Sequence, residues 1–196
     1  MIHIENELFG QDDYDKLVHL VDIDGFGNLN MNSWCNRYEG ANDSLYGFGE
    51  SLVGRARDIF ESESLIHTYS FYVKYISQNA NMKFHVDDNA CTYTIDYCFR
   101  QKFPWPIYVN GQQFNLFTNQ ALFFKGEEQW HGRYRPDDNK VHNEVEMMFF
   151  HYAEPDHWWF EKNEFMREEK REKQKLKRQR RTEIYELKYG QYPIQH

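Results

Sequence analysis

Between residues 67 and 153 the apolar positions come in short runs separated by turn residues. The runs are HTYSFYVKYI (67–76), KFHV (83–86), CTYTIDYCF (91–99), FPWPIYVNGQQFNLF (103–117), NQALFFKG (119–126) and EVEMMFFHY (144–152). β-Branched and aromatic residues dominate them, which suits a pleated, half-buried surface. Asn110-Gly111 supplies the left-handed pair that a two-residue hairpin turn needs. The connections are too short for crossover helices, so the strands should pair antiparallel in a sandwich or barrel.

The flanks change period. DDYDKLVHLVD (12–22) has an acidic start and a short apolar face, as an amphipathic helix would. GFGNLNMNSW (25–34) reads as loop. Within residues 43–64, Leu45, Phe48, Leu52, Val53, Ala56 and Ile59/Phe60 recur at helical spacing, though glycines interrupt the run. Residues 1–66 are therefore expected to be helix and loop. Residues 161–189 contain neither Pro nor Gly and are rich in strong helix formers, so one long helix is expected. The final GQYPIQH reads as coil. These patterns predict one domain over 1–155, with a jelly-roll-like core at 67–153, followed by a charged helix and tail over 156–196.

Composition refines this picture. With 18% aromatic residues, much of the core area must come from rings. A formal charge of −8 argues against a chain built to neutralise phosphates, and a nucleic-acid partner is not expected. The charge is uneven: residues 161–188 carry 11 basic and 7 acidic side chains, leaving the remainder strongly acidic. The run KREKQKLKRQRR (170–181) is expected to be a solvated helix face. Ion pairs among Glu168, Glu172, Arg171 and Lys175 would lace it. Docking on the acidic body, or phosphate contact, is the alternative. Three cysteines, with no C-x-x-C, suggest neither a disulfide framework nor a zinc knuckle. The acidic N-terminus lacks a signal-peptide pattern, and no stretch approaches 18 apolar residues. A soluble, cytoplasmic protein is the expectation, with oligomeric state open.

The candidate chemistry starts at FHVDD (84–88). Side chains two apart on a strand share a face, so His85 and Asp87 can converge on one point. A useful metal site needs a third ligand from another strand, and His131, His142 and His151 are available. His131 follows an apolar strand inside EEQWHGRYR. Two histidines and one carboxylate would form the facial triad suited to non-haem iron(II) oxygenases. His142 and His151 read as structural. Cys91 and Cys98 read as small buried residues, and Trp105, Trp158 and Trp159 as core or lid. Trp130, beside His131, is a candidate pocket wall.

The ordered set YSFYVKYI, FHVDD, CTYTIDY, WPIYV, NQALFFKGEEQWHGR and FFHY resembles the Fe(II)/2-oxoglutarate-dependent dioxygenase superfamily, in particular the prolyl-4-hydroxylase-like branch and its bacterial and phage relatives. The likeness spans about 67–153. It implies a mainly β fold, a double-stranded β-helix of the jelly-roll or cupin-like kind, with flanking helices. It implies Fe(II) held by His85, Asp87 and His131, with 2-oxoglutarate as co-substrate and O2 as oxidant. The implied activity is a hydroxylase that releases succinate and CO2, acting on a small-molecule or peptide substrate. A retained Asp87 favours hydroxylation over halogenation. The likeness also calls for a basic anchor for 2-oxoglutarate shortly after His131. Arg133 and Lys140 are the candidates, with Arg135 behind, and Tyr72 and Tyr93 as supporting hydroxyls. Two other readings stand beside this one. The first is a cupin-like metal protein without 2-oxoglutarate chemistry, and the second is a non-catalytic module acting through its basic helix.

Overall fold

The computed structural model describes residues 1–189 apart from 28, 34, 76–79, 89, 103 and 135–144. The strands are β1 (Ile2–Glu5), β2 (Asn30–Asn32), β3 (Arg37–Gly40), β4 (Ile66–Tyr75), β5 (Met82–His85), β6 (Tyr93–Gln101), β7 (Ile107–Val109), β8 (Gln112–Phe114), β9 (Gln120–Phe124), β10 (His131–Arg133) and β11 (Val145–Ala153). The α-helices are α1 (Gln11–His19), α2 (Asp43–Ser51), α3 (Val53–Phe60) and α4 (Glu164–Tyr189).

Among the described residues, the strands form two antiparallel sheets, a major one in the order β1-β9-β6-β11-β4-β3-β2 and a minor one in the order β5-β10-β7-β8. This is a jelly-roll core with flanking helices. All nine residues of β11 are buried, because the strand lies mid-sheet with both faces covered. That is why EVEMMFFHY reads as a nearly unbroken apolar run.

Alternation on the major sheet separates two cores. One face (Tyr72, Ile95, Tyr97, Phe123, Phe150 and Tyr152) packs under α1, α2 and α3 with Leu17, Leu45, Ala56 and Phe60. The other face (Val73, Tyr75, Cys98, Leu122, Phe124, Met147 and Phe149) meets Met82, Ile107, Val109 and Phe114 of the minor sheet. The hairpin at Asn110-Gly111 forms as expected, with φ of 50° and 83° joining β7 to β8.

The N-terminal third departs from the helix-and-loop expectation. It supplies three strands to the major sheet: β1 pairs with β9, and the β2–β3 hairpin extends the edge at β4. These strands are three or four residues long, too short for a legible period. The helical spacing over 43–64 resolves into two helices. Asn42 caps α2 by accepting from the Leu45 amide at 2.9 Å, and α3 ends at Glu61, whose φ is 56°.

Helix α4 also differs from a fully solvated helix. Exposed positions along it carry Arg171–Glu168 and Lys175–Glu172, which join residues expected to pair, and Lys173–Glu169. Its inner face docks on the barrel. Arg178 reaches Asp88 at 2.7 Å and the Val86 carbonyl at 3.2 Å, and Arg181 donates to the Glu127 carbonyl at 2.6 Å. Tyr185 stacks on Trp130 at 5.8 Å and donates to the Glu128 carbonyl at 2.8 Å. No described helix is long and apolar enough to cross a membrane.

Candidate active site

His85 ends β5 and His131 begins β10. The two strands are antiparallel neighbours, and the register sets these histidines directly opposite each other. Their ring centroids are 4.4 Å apart. Asp87 lies two residues past His85, and its Oδ1 is 3.3 Å from His85 Nε2 and 3.4 Å from His131 Nε2. One donor atom from each of the three residues falls within 4.8 Å of the others. The fold thus brings together the three residues that the sequence singled out, from 46 positions apart.

Backbone groups orient this cluster. His85 Nδ1 lies 2.6 Å from the Lys83 carbonyl and His131 Nδ1 lies 2.8 Å from the Gln129 carbonyl. Each carbonyl accepts the Nδ1 proton, which leaves Nε2 as a lone-pair donor turned to the shared carboxylate. The Asp87 amide donates to the Gly126 carbonyl at 2.9 Å, and Thr94 donates its hydroxyl to Asp87 Oδ2 at 3.2 Å.

Two glycines allow the approach. A Cβ on Gly126 would lie 2.6 Å from Cys91 O and from Thr94 Oγ1, and closer still to Asp87 Oδ2. A Cβ on Gly132 would lie 2.8 Å from Met82 O and 2.9 Å from Phe84 Cα, beside the register shift between β10 and β5.

The charges follow from this crowding. Burial alone would raise the Asp87 carboxyl, but the neighbouring His131 and His85 hold it well below the usual carboxylate range. Burial also opposes charge on His131, yet Asp87 wins and raises it. Burial, aided by His131, lowers His85. The cluster is an anionic oxygen between two imidazole nitrogens, a donor set that fits an open-faced divalent metal.

The triad borders a cavity of about 300 Å³ between the sheets. Phe71, Phe149, Ile107, Phe124 and Met82 line it with Thr94, Asp96, His151 and Arg37. His151 faces this space from β11. Its Nδ1 is 3.2 Å from Thr94 Oγ1, and its buried Nε2 has no partner among the described residues. Burial lowers it to about 4, so it is a neutral imidazole at pH 7.

No protein-family model and no curated protein matches this chain by sequence. Solved structures do match. HygX from Streptomyces hygroscopicus, with nickel, 2-oxoglutarate and hygromycin B bound, superposes with a TM-score of 0.60 at 9% identity, over 78% of this chain and 82% of that one. A prolyl-4-hydroxylase from Pseudomonas putida gives 0.58 at 11% identity, over 76% and 91%. A prolyl hydroxylase from Trichoplax adhaerens, in complex with a hypoxia-inducible-factor peptide fragment, gives 0.57 at 11% identity, over 77% and 83%. The chain shares the fold of these proteins, which is consistent with the fold that the sequence resemblance implied.

Within this fold the other sequence candidates scatter. Arg133 is buried on β10, but its guanidinium is committed to Asp96 at 2.9 Å and to the Trp105 carbonyl. Arg135, Lys140 and His142 lie outside the described residues. Tyr72 and Tyr93 do not reach the cavity. Strand alternation turns both to the opposite face, where Tyr72 stacks on Phe26 at 4.7 Å and Tyr93 donates to Glu154 at 3.4 Å. Trp130 packs against Tyr185 rather than lining the cavity.

Sequence reasoning missed the cavity residue Arg37, and it weighed His151 as a ligand but read it as structural. Arg37 sits on β3 with its guanidinium carbon 5.5 Å from the Phe71, Tyr75 and Phe149 ring centroids. It donates to the Tyr75 hydroxyl at 2.6 Å and to Glu39 at 2.7 Å. No local pattern marked it, because CNRYEG lies in the segment read as loop and helix. His151 had a signal in hindsight: it is the one imidazole inside the apolar run of β11.

Proposed function

We propose that this protein is an Fe(II)- and 2-oxoglutarate-dependent oxygenase that hydroxylates an unactivated C–H bond. The observation that carries the reading is the meeting of His85, Asp87 and His131 beside a cavity of about 300 Å³, on a fold whose solved examples include proteins with 2-oxoglutarate bound. The two Nε2 atoms and the Asp87 carboxylate would hold the iron on one side and leave the cavity side open. When bound, iron(II) would supply oxygen activation, coupled to decarboxylation of 2-oxoglutarate to succinate and CO2 and to oxygen insertion into the substrate.

The chain's own groups divide the remaining work. The Lys83 and Gln129 carbonyls fix the tautomers of the two histidines, and Thr94 with the Gly126 backbone fixes the carboxylate. Arg37 would anchor the distal carboxylate of 2-oxoglutarate. It is a buried guanidinium on the cavity wall, and its carboxylate partner Glu39 is half-exposed rather than buried. Arg133, locked to the buried Asp96, is less suited to that task. The Phe71, Phe149 and Phe124 rings would exclude water from the reacting centre.

The test is an anaerobic titration with iron(II) and then 2-oxoglutarate, followed by the weak visible charge-transfer band of the chelate. The expected result is a saturable band that is lost in His131→Ala and weakened in Arg37→Gln. Bound iron without any band would favour a cupin-like metal protein lacking 2-oxoglutarate chemistry.

A further inference from the structure

A second and larger cleft, about 610 Å³, opens beside the cavity just described. Tyr69, Trp158, Trp159, Arg167, Glu168 and Arg171 line it. The two spaces share Tyr69, whose ring is 4.7 Å from His151 on one side and 5.7 Å from Trp159 on the other. The Tyr69 hydroxyl lies 2.7 Å from Cys91 Sγ, and Cys91 borders the metal-side cavity. A molecule in the outer cleft would therefore reach the triad past one aromatic threshold. The volume falls in the usual range for small-molecule sites.

Its chemistry is specific. Trp158, Trp159 and Tyr69 give it aromatic walls. Arg167 and Arg171, one turn apart on α4, both sit against the Trp158 ring at 5.8 and 5.5 Å. Arg167 has no carboxylate partner among the described residues, and Arg171 has only an exposed contact with Glu168 at 3.6 Å. The Trp158 indole N–H is buried and has no acceptor among the described residues. Two available guanidinium groups accompany one carboxylate among the lining side chains, so the cleft offers more donors than acceptors. Guanidinium forks match planar oxyanions, and aromatic faces match flat rings.

We infer that the outer cleft binds the oxidisable substrate, and that this substrate is a small molecule joining a flat ring to a phosphate or carboxylate group. The inference rests on the oxygenase reading for the word substrate, while the binding itself does not. The ring would lie against Trp159 and Tyr69, and the oxyanion would take Arg167 and Arg171. Helix α4 would then have a function beyond packing: the face carrying Arg178 over the inner cavity also carries the two arginines of the outer cleft.

The test is anaerobic isothermal titration of the full chain, loaded with iron(II) and 2-oxoglutarate. The probes are 1-naphthyl phosphate, 1-naphthoate, 1-naphthol and inorganic phosphate. At least one anionic ring should bind tenfold or more tighter than both 1-naphthol and phosphate, and the better of the two tells phosphate from carboxylate. The double variant Arg167→Ala/Arg171→Ala should bring that probe down to the level of 1-naphthol. Arg167→Glu, at a site with no carboxylate partner to lose, repeats the test should the double variant not fold. Equal binding of 1-naphthol, or full binding retained by these variants, overturns the inference. Succinate formation once the same preparations are admitted to air reports on the oxygenase reading alone. Ring binding without succinate removes that reading and keeps the cleft; succinate without ring binding removes the cleft.

Discussion

Gly126→Ala isolates the metal centre from the rest of the fold. Gly126 follows β9, and its carbonyl accepts the Asp87 amide at 2.9 Å. The added methyl would sit 2.6 Å from Cys91 O and Thr94 Oγ1, and nearer still to Asp87 Oδ2. Carbon–oxygen contacts that short do not persist, so Asp87 and its neighbours must retreat by about 0.4 Å or more, at an overpacking cost of about 1–3 kcal/mol. Asp87 moves most readily, being a side chain where Cys91 O is backbone. Its Oδ1 then leaves the point where it meets both Nε2 atoms. Disturbing groups that position metal ligands typically weakens metal binding by about 10–100-fold, and that loss is expected here. The assay is an anaerobic iron(II) titration, with circular-dichroism melts to check folding. Gly47→Ala serves as the control. Gly47 lies within α2 with nothing within 4 Å of its would-be Cβ, so alanine there should stabilise by about 0.5–1 kcal/mol and leave metal affinity alone. Metal affinity within twofold of the native protein, in a Gly126→Ala variant that melts normally, would refute the steric reasoning.

Four further outcomes are expected. His131→Ala should weaken iron(II) binding by more than about a hundredfold, since it removes a ligand rather than a group that positions one, and calorimetry reads this directly. Arg37→Gln should raise the KM for 2-oxoglutarate by about 10–100-fold, the equivalent of one charge-assisted hydrogen bond, in a succinate-release assay. Arg133→Met should act on the fold instead, costing about 3–5 kcal/mol in urea unfolding, because it strands the fully buried Asp96. His151 gives a pH signature. Its folded pKa of about 4 lies below the ordinary value near 6.5, so the unfolded chain takes up the proton first and stability is lost as pH falls through that window. In His151→Phe the loss of stability between pH 7 and pH 4 should shrink by on the order of 3 kcal/mol, and an unchanged pH profile would count against a buried neutral imidazole.

The contrast between Arg37 and Arg133 shows where reading along the chain ran out. Arg133 stood two residues past His131, the neighbourhood in which a basic anchor was sought. Its partner Asp96 is on β6, however, and nothing local reveals that the two charges cancel. Arg37 arrives from a four-residue strand in a segment with no strand period, and it meets Phe149 only because β3 pairs with β4 and β4 with β11. Tyr72 and Tyr93 failed for a different reason. Their strands were legible, but which face of each met the minor sheet was not, and moving one residue along a strand changes the core a side chain enters.

The sequence by itself determined what depends on near neighbours. The Asn110-Gly111 turn, the unbroken apolar run of β11, the uninterrupted helix at 164–189 and the shared face of His85 and Asp87 all follow from local backbone chemistry and period. Tertiary structure alone decided what depends on pairing across distance. It set His131 opposite His85, left Gly126 the only kind of residue that can pass beneath Asp87, carried Arg37 into the cavity and folded α4 back across the barrel. Periodicity tells a chain which side of a strand to bury. It carries no information on which strand will lie next to it.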